Sequence, residues 1–192
     1  SRMMKYKSLF IDLDDTLWDT YHNNKECLEE VYTAHHFDRY YASFEAFFEI
    51  YWPHNNLLWE QYRNSAKQAQ KIRQPIEPFL AETRLVPGAI ELLEYLRPSY
   101  RMYILSNGFR EVQFKKLCNS GLAPYFKRMI LSEDACIQKP HKEIFDFALK
   151  NTNSRRSESL MIGDSWEADI IGAHNSKIDG NVGKDIGDMG KD

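Results

Sequence analysis

Short apolar runs alternate with helical patterns along most of the chain, and this alternation constrains the fold more than any other feature. Such runs are typical of buried strands, whereas the segments between them carry apolar residues at helical spacing and end near Pro or Gly. Strand–helix alternation predicts an α/β fold with a parallel sheet covered on both faces. The predicted strands are Lys7–Leu13, Arg101–Ser106, Arg128–Leu131 and Ser159–Gly163, and the predicted helices between and after them are Ala89–Arg97, Phe109–Asn119, His141–Asn151 and Trp166–His174.

Two segments depart from the alternation. Residues 20–84 form a long aromatic insert with helical texture, in which Phe44, Phe47, Phe48 and Tyr51 lie at i, i+3, i+4 and i+7. That spacing predicts an amphipathic helix, and Pro53 is expected to end it. Residues 180–192 carry apolar side chains too sparsely for a strand, so no strand is expected after Ala173.

The composition narrows the class of protein. A net charge of −3, with Lys and Arg spread along the chain, gives no reason to expect a nucleic-acid polymer as a partner. No apolar run is long enough to cross a membrane, and no signal peptide opens the sequence. Cys27, Cys118 and Cys136 show no CxxC spacing, so we expect reduced, mostly buried thiols in a cytoplasmic protein.

Polar residues follow three of the four predicted strands. They are Asp12, Ser106 and Asp164. Ligands of parallel α/β sheets bind beyond the carboxyl ends of the strands, which is where these three residues are expected to lie. An Asp-X-Asp sequence alone is weak evidence, since acid pairs are common in solvated loops. Here an apolar strand runs directly into Asp12 and Asp14, and carboxylates beside a core are costly unless a cation or ligand compensates them.

Each remaining signal has a structural and a functional interpretation. Ser106-Asn107-Gly108 fits a phosphate cradle, but Asn-Gly is also a common turn. Lys139 precedes a predicted helix and offers a fixed positive charge, although most lysines are simply solvated. Asp164 and Asp169 are about one helical turn apart, and Asp164 also suits the N-cap of the last helix.

In this order, these residues resemble the four motifs of the haloacid dehalogenase superfamily. The matches are Asp12, Asp14 and Thr16 (DxDxT), then Ser106-Asn107-Gly108, then Lys139, and last Gly163-Asp164 with Asp169 (GDxxxxD). The resemblance implies that Asp12 is a nucleophile, attacking phosphorus to give an aspartyl-phosphate, and that Asp14 is the acid and base. An acid at the position of Asp14 is typical of the superfamily's phosphatases and phosphomutases, whereas its dehalogenases lack this acid.

The resemblance also assigns the supporting residues. Mg²⁺ would be held by the Asp12 carboxylate, the Asp14 backbone carbonyl and Asp164. Phosphate oxygens would be bound by Ser106, Asn107 and Lys139. Thr16 and Asp169 would support the site from behind these groups.

The position of the insert implies a domain organisation. The family carries a helical cap between its first and second motifs. The sequence thus predicts a Rossmann-like core of residues 1–16 and 85–192, with an inserted α-helical cap of residues 17–84. A cap of this kind excludes water and selects substrates by shape.

Several stretches resemble the superfamily's nucleotidases for pyrimidine nucleoside monophosphates: Leu58–Tyr62, Ile104–Phe109, Lys139–Phe145 and Ser159–Ala173. The expected partner is a small phosphorylated metabolite, bound by a monomer or weak dimer. Trp18, Trp52, Trp59 and Tyr62 either stack on a base or pack within the insert. The alternatives are a phosphatase or phosphomutase for sugar phosphates, although those mutases usually show Gly where Asp15 stands, and a non-catalytic phosphate-binding domain.

Overall fold

The computed structural model describes residues 5–64 and 83–182, with the backbone alone over residues 58–64. Its internal contacts divide the chain into two compact units. The first combines Ser1–Asp19 with Leu85–Asp192, and the second is Thr20–Arg84. Leu17 and Trp18, which the sequence assigns to the insert, lie in the first unit. The Leu17 carbonyl accepts a hydrogen bond from the Val86 amide at 2.7 Å, and Trp18 forms a bridge with Leu85.

A parallel sheet forms the centre of the first unit. Within the described ranges it has five strands in the order β3-β2-β1-β4-β5, namely β1 (Ser8–Ile11), β2 (Arg101–Ser106), β3 (Arg128–Leu131), β4 (Ser159–Gly163) and β5 (Asp179–Val182). The central strand, β1, places Ile11 beside Ile104 of β2 and Ile162 of β4. The predicted α/β fold with a parallel sheet is confirmed. Because the strands are parallel, their carboxyl ends meet at one edge.

Helices cover this sheet. They are α3 (Ala89–Leu96), α4 (Arg110–Asn119), α5 (Ser132–Ala135), α6 (Lys142–Thr152), a π-helix (Trp166–Ile171) and α7 (Gly172–Asn175), with 3₁₀ turns at Ala123–Tyr125 and Arg156–Glu158. All four β1 side chains are buried, as expected for a strand with neighbours on both sides. The α6 face that carries Ile144 and Phe145 packs with Phe10 and Leu105 of the sheet in one apolar cluster.

The second unit is helical and aromatic. Its elements are α1 (Thr20–Ala34), a 3₁₀ turn (Phe37–Arg39) and α2 (Phe44–Asn64). Tyr32, Phe44 and Phe48 form a buried cluster, in which the Phe48 and Trp52 rings stack with centroids 5.7 Å apart. No helix in residues 5–64 and 83–182 is both long and apolar enough to cross a membrane.

The prediction that Pro53 ends the aromatic helix is wrong, because α2 continues through it to Asn64. A proline inside a helix removes one backbone hydrogen bond and costs about 3 kcal/mol. Phe48 before it and Asn55 after it are both buried, so packing on either side stabilises the continued helix.

The prediction that no strand follows Ala173 is also wrong. β5 pairs with β4 through backbone hydrogen bonds. Because this pairing does not depend on alternating apolar side chains, the last strand of the described sheet can form without them. Buried Ile178 precedes it, and the Asp179 carboxylate accepts a hydrogen bond from the Tyr6 hydroxyl at 2.7 Å. The predicted helix from Trp166 is likewise a π-helix over its first six residues.

The predicted burial of the thiols holds only for Cys27. All three cysteines are free, but Cys118 and Cys136 are exposed. Cysteine is among the most often buried residue types, so the expectation followed its average behaviour. Cys118 lies on α4, whereas Cys136 directly follows α5.

Candidate active site

Asp12 lies directly beyond β1, at the carboxyl edge of the sheet. Its amide donates to the Ile162 carbonyl at 2.9 Å, which continues the β1–β4 ladder by one residue. Asp12 is only 8% exposed. Burial raises the pKa of its carboxyl well above the ordinary value; the Lys139 ammonium opposes the shift, and the charge of Asp169 adds to it. The site therefore needs positive charge beside Asp12.

Lys139 supplies such a charge from the loop that precedes α6. Its buried ammonium donates to Asp12 Oδ1 at 3.1 Å, to Asp169 Oδ1 at 2.6 Å and to the Leu105 carbonyl at 2.9 Å. Burial alone would lower the pKa of Lys139, but the charges of Asp12 and Asp169 raise it above its ordinary value. The side chain is thus a fixed cation, as the sequence suggested.

The Asn107 side chain binds the backbone of Lys139. Its side-chain oxygen accepts from the Lys139 amide at 2.8 Å, and its side-chain nitrogen donates to the Lys139 carbonyl at 3.1 Å. These two bonds fix the backbone from which the Lys139 ammonium extends. Phosphate binding by Asn107 stays a prediction, and its observed contacts make it a support for Lys139.

Three carboxylates converge at this edge. Asp12, Asp164 and Asp169 each offer one oxygen, and the three oxygens lie within 4.8 Å of one another. Thr16 Oγ1 donates to Asp164 Oδ1 at 3.4 Å. Asp164 is an exposed residue, but protein atoms crowd its carboxyl group. This crowding, followed by the charge of Asp169, raises the pKa of Asp164. Such an all-oxygen, crowded set fits a hard divalent cation such as Mg²⁺.

Asp169 is completely buried, and both of its oxygens are bonded. Oδ1 binds Lys139, and Oδ2 accepts from the Ser165 amide at 3.1 Å. A Cβ at Gly163 would overlap the Asp169 carboxylate, so this close approach requires glycine. These contacts agree with Asp169 as a supporting group.

The N-cap alternative for Asp164 is wrong. The residue that caps the π-helix is Ser165, whose Oγ accepts from the Ala168 amide at 3.1 Å. A helix begun at Ser165 leaves the Asp164 carboxylate in the cluster with Asp12. Helix capping therefore does not explain the presence of an acid at position 164.

Ser106 is buried at the end of β2. Its Oγ accepts from the Gly108 amide at 3.0 Å and from Gln113 Nε2 at 2.8 Å. A hydroxyl has one hydrogen and two acceptor lone pairs, so these bonds leave the Ser106 hydrogen to be donated elsewhere. A phosphate oxygen is a suitable acceptor for it.

Two site residues were missed from the sequence, and both contact Asp14. Lys116 Nζ lies 2.8 Å from Asp14 Oδ1, and Gln113 Nε2 lies 3.2 Å from Asp14 Oδ2. Gln113 and Lys116 are buried on α4, three residues apart. One sequence signal could have identified them. The helix follows Ser106-Asn107-Gly108 and is expected to cover a sheet, yet it lacks the apolar stripe that such a helix normally carries.

The aromatic residues proposed for base stacking are placed differently. Trp18 is completely buried in the first unit, with the Lys116 ammonium 4.4 Å from its ring centroid. Trp52 packs against Tyr21 and Phe48 in the second unit. For Trp52, packing within the insert is therefore the observed alternative, whereas Trp18 packs in the first unit and not within the insert. The side chains of Trp59 and Tyr62 lie outside the described residues.

Residues 9–181 match the family model described as haloacid dehalogenase-like hydrolase. The chain belongs to this family. The resemblance inferred from Asp12, Ser106, Lys139 and Asp164 is confirmed, and with it the expectation of a hydrolase.

Relatives of this hydrolase act on several phosphate esters. It is 30% identical to the pyrimidine 5′-nucleotidase YjjG of Escherichia coli over 91% of this chain and 84% of that protein. It is 29% identical to a glyceraldehyde 3-phosphate phosphatase of Pyrococcus abyssi over 88% and 77%, respectively. Among solved structures, the HAD-hydrolase YfnB of Bacillus subtilis, bound to magnesium, matches with a TM-score of 0.78 and 26% identity over 91% of this chain and 87% of that one.

Proposed function

We propose that this hydrolase is a magnesium-dependent phosphomonoesterase that works through an aspartyl-phosphate on Asp12. The observation that carries the proposal is the Asp12 carboxylate itself. It is buried at the sheet edge, 3.1 Å from the Lys139 ammonium and clustered with the Asp164 and Asp169 carboxylates. A carboxylate in this position is a shielded nucleophile beside a permanent positive charge.

The reaction has two steps. In the first, an Asp12 oxygen bonds to phosphorus while the ester P–O bond breaks, and the Asp14 carboxylic acid gives its proton to the leaving oxygen. In the second, water bonds to phosphorus and gives a proton to the Asp14 carboxylate. The bond between phosphorus and Asp12 then breaks, which releases phosphate and restores both side chains.

The remaining residues bind and orient. The Ser106 hydroxyl and the Lys139 ammonium would bind phosphate oxygens, while Asn107 holds the Lys139 backbone. Mg²⁺ would be held by the Asp12 carboxylate, the Asp14 carbonyl and Asp164. When bound, the ion neutralises charge between the nucleophile and the phosphate. Thr16 and Asp169 would orient Asp164 and Lys139, which they contact.

For the substrate, we propose nucleoside 5′-monophosphates, with the inserted unit, Thr20–Arg84, as the substrate-selecting cap. The pyrimidine 5′-nucleotidase of Escherichia coli supports this choice. The phosphatase of Pyrococcus abyssi keeps sugar-type phosphates as the second candidate. A phosphomutase would turn over a bisphosphorylated sugar without net phosphate release, and a non-catalytic domain would turn over nothing.

The test is a phosphate-release screen over nucleoside monophosphates, sugar phosphates and small phosphorylated acids. Wild type and Asp12→Asn are assayed with magnesium and with the metal chelated. We expect release by wild type with magnesium only, and none by the variant, since an amide cannot serve as this nucleophile. Equal release by the two proteins would contradict a covalent role for Asp12.

A further inference from the structure

The proposed acid and base, Asp14, is bound through both carboxylate oxygens by side chains from one helix. Lys116 Nζ contacts Oδ1 at 2.8 Å, and Gln113 Nε2 contacts Oδ2 at 3.2 Å. Two donors on two different oxygens fix the plane of a carboxylate as well as its position. The Asp14 side chain is 35% exposed, whereas that of Lys116 is 4% exposed. The acid thus faces outward while the group that holds it is inside.

Lys116 is itself held in place. Its ammonium lies 4.4 Å from the centroid of the Trp18 ring, which is completely buried. A buried ammonium is costly unless charge and ring contacts compensate it. An apolar residue would suit this helix face better if packing were all that the position required. A buried lysine that contacts Asp14 and an aromatic face therefore points to a role at Asp14.

Gln113 joins Asp14 to the expected phosphate cradle. The same Nε2 that donates to Asp14 also donates to Ser106 Oγ at 2.8 Å. Gly108 leaves the space that the Gln113 side chain fills, since a Cβ there would overlap it. One buried amide thus sets the distance between the acid and the hydroxyl that would bind phosphate.

We propose that Lys116 and Gln113 are positioning residues that hold the Asp14 carboxyl beside the phosphate cradle for proton transfer to the leaving oxygen. The role rests on the proposed function, because it presupposes that Asp14 is the acid. A misplaced acid slows the hydrolysis of esters whose leaving oxygen needs a proton. It does not slow esters whose leaving group departs as a stable anion.

The experiment compares kcat/KM for uridine 5′-monophosphate, an alkyl ester, with that for 4-nitrophenyl phosphate, an activated aryl ester. This constant reports steps up to departure of the leaving group, so the later action of Asp14 as a base does not enter. The ratio of the two constants is also independent of the folded fraction, because the same molecules hydrolyse both esters. The variants are Lys116→Met, Gln113→Leu and the conservative Lys116→Arg, with Lys115→Met on the same helix as the matched control.

We expect Lys116→Met and Gln113→Leu each to lower the alkyl-to-aryl ratio by about 10- to 100-fold. This is less than the roughly 10²- to 10⁴-fold that a general acid contributes, because the acid is misplaced and not removed. Lys116→Arg keeps the charge and should recover most of the ratio, and Lys115→Met should leave it unchanged. An unchanged or raised ratio in Lys116→Met would overturn the positioning role. The phosphatase proposal would still stand in that case, provided that the wild-type protein hydrolyses the esters. If wild type hydrolysed neither ester, both proposals would fall together.

Discussion

The Lys139 ammonium lies 3.1 Å from Asp12 Oδ1, with side chains that are 2% and 11% exposed. A buried pair of this kind is costly to break, because the remaining charge is left without its partner. Lys139 also binds Asp169, so one cation serves two carboxylates. The core of the first unit and its chemistry therefore depend on the same contact.

Replacing Lys139 with methionine should affect stability and activity together. Loss of one partner of a buried ion pair costs about 3–5 kcal/mol, and loss of one preorganised donor costs roughly 10²- to 10³-fold in kcat. Urea unfolding and steady-state kinetics measure the two effects. The control is Lys142→Met, which removes an exposed pair with Asp146 and should cost no more than about 1 kcal/mol. A Lys139→Met protein with wild-type stability would contradict the account.

Asp164→Asn should raise the magnesium concentration needed for half-maximal activity. The amide keeps the size of the side chain but loses the charge that a hard divalent cation favours. The matched control is Ser165→Ala, which removes the observed helix cap and should cost about 1 kcal/mol with no change in metal requirement. An unchanged magnesium dependence in Asp164→Asn would exclude Asp164 as a ligand.

The docking of β5 predicts a pH effect on stability. Hydrogen bonds from Lys5 and from the Tyr6 hydroxyl lower the pKa of Asp179 below its ordinary value. Because the folded pKa is the lower one, the contribution is present above the unfolded pKa, near 3.9, and is lost as pH falls through the folded pKa. The difference in unfolding free energy between wild type and Asp179→Asn should therefore shrink in acid. Since the side chains of Lys5 and Asp179 are 57% and 54% exposed, the difference should be small even at neutral pH. A difference that grew as pH fell would contradict the contact.

The preference for a nucleobase has a direct kinetic test. Uridine 5′-monophosphate and ribose 5-phosphate share the phosphate and the sugar, and only the first carries the base. Stacking on an aromatic side chain is worth roughly 1–3 kcal/mol, or about one to two powers of ten in kcat/KM. We expect the nucleotide to be favoured by such a factor. A ratio near one would withdraw the nucleotidase assignment and leave the phosphatase assignment in place.

The sheet and its polar edge were predictable because both depend on local patterns. The apolar runs at β1, β2 and β4 identify buried strands, and parallel pairing then brings Asp12, Ser106 and Asp164 to one edge. Neither step requires knowledge of side-chain packing. Position in the sequence was therefore sufficient to bring these residues together.

The remaining features depend on contacts between distant segments. The continuation of α2 through Pro53 and the pairing of β5 override local preferences by tertiary packing. Gln113 and Lys116 look like surface residues until α4 is placed against Asp14. The bonds between the Asn107 side chain and the Lys139 backbone likewise require the loop before α6, which lies 32 residues further along the chain.

The central claim is that Asp12 carries the phosphoryl group during turnover. The most direct measurement is acid quenching of the enzyme during steady hydrolysis, followed by proteolysis and mass spectrometry of the peptide that contains Asp12. Acid preserves the acyl phosphate, and borohydride then reduces the phosphorylated aspartate to homoserine. The phosphorylated residue is identified by the position of this homoserine. The account predicts phosphorylation at Asp12 in wild type and none in Asp12→Asn. Steady turnover with an unmodified Asp12, or with the label on another residue, would contradict it.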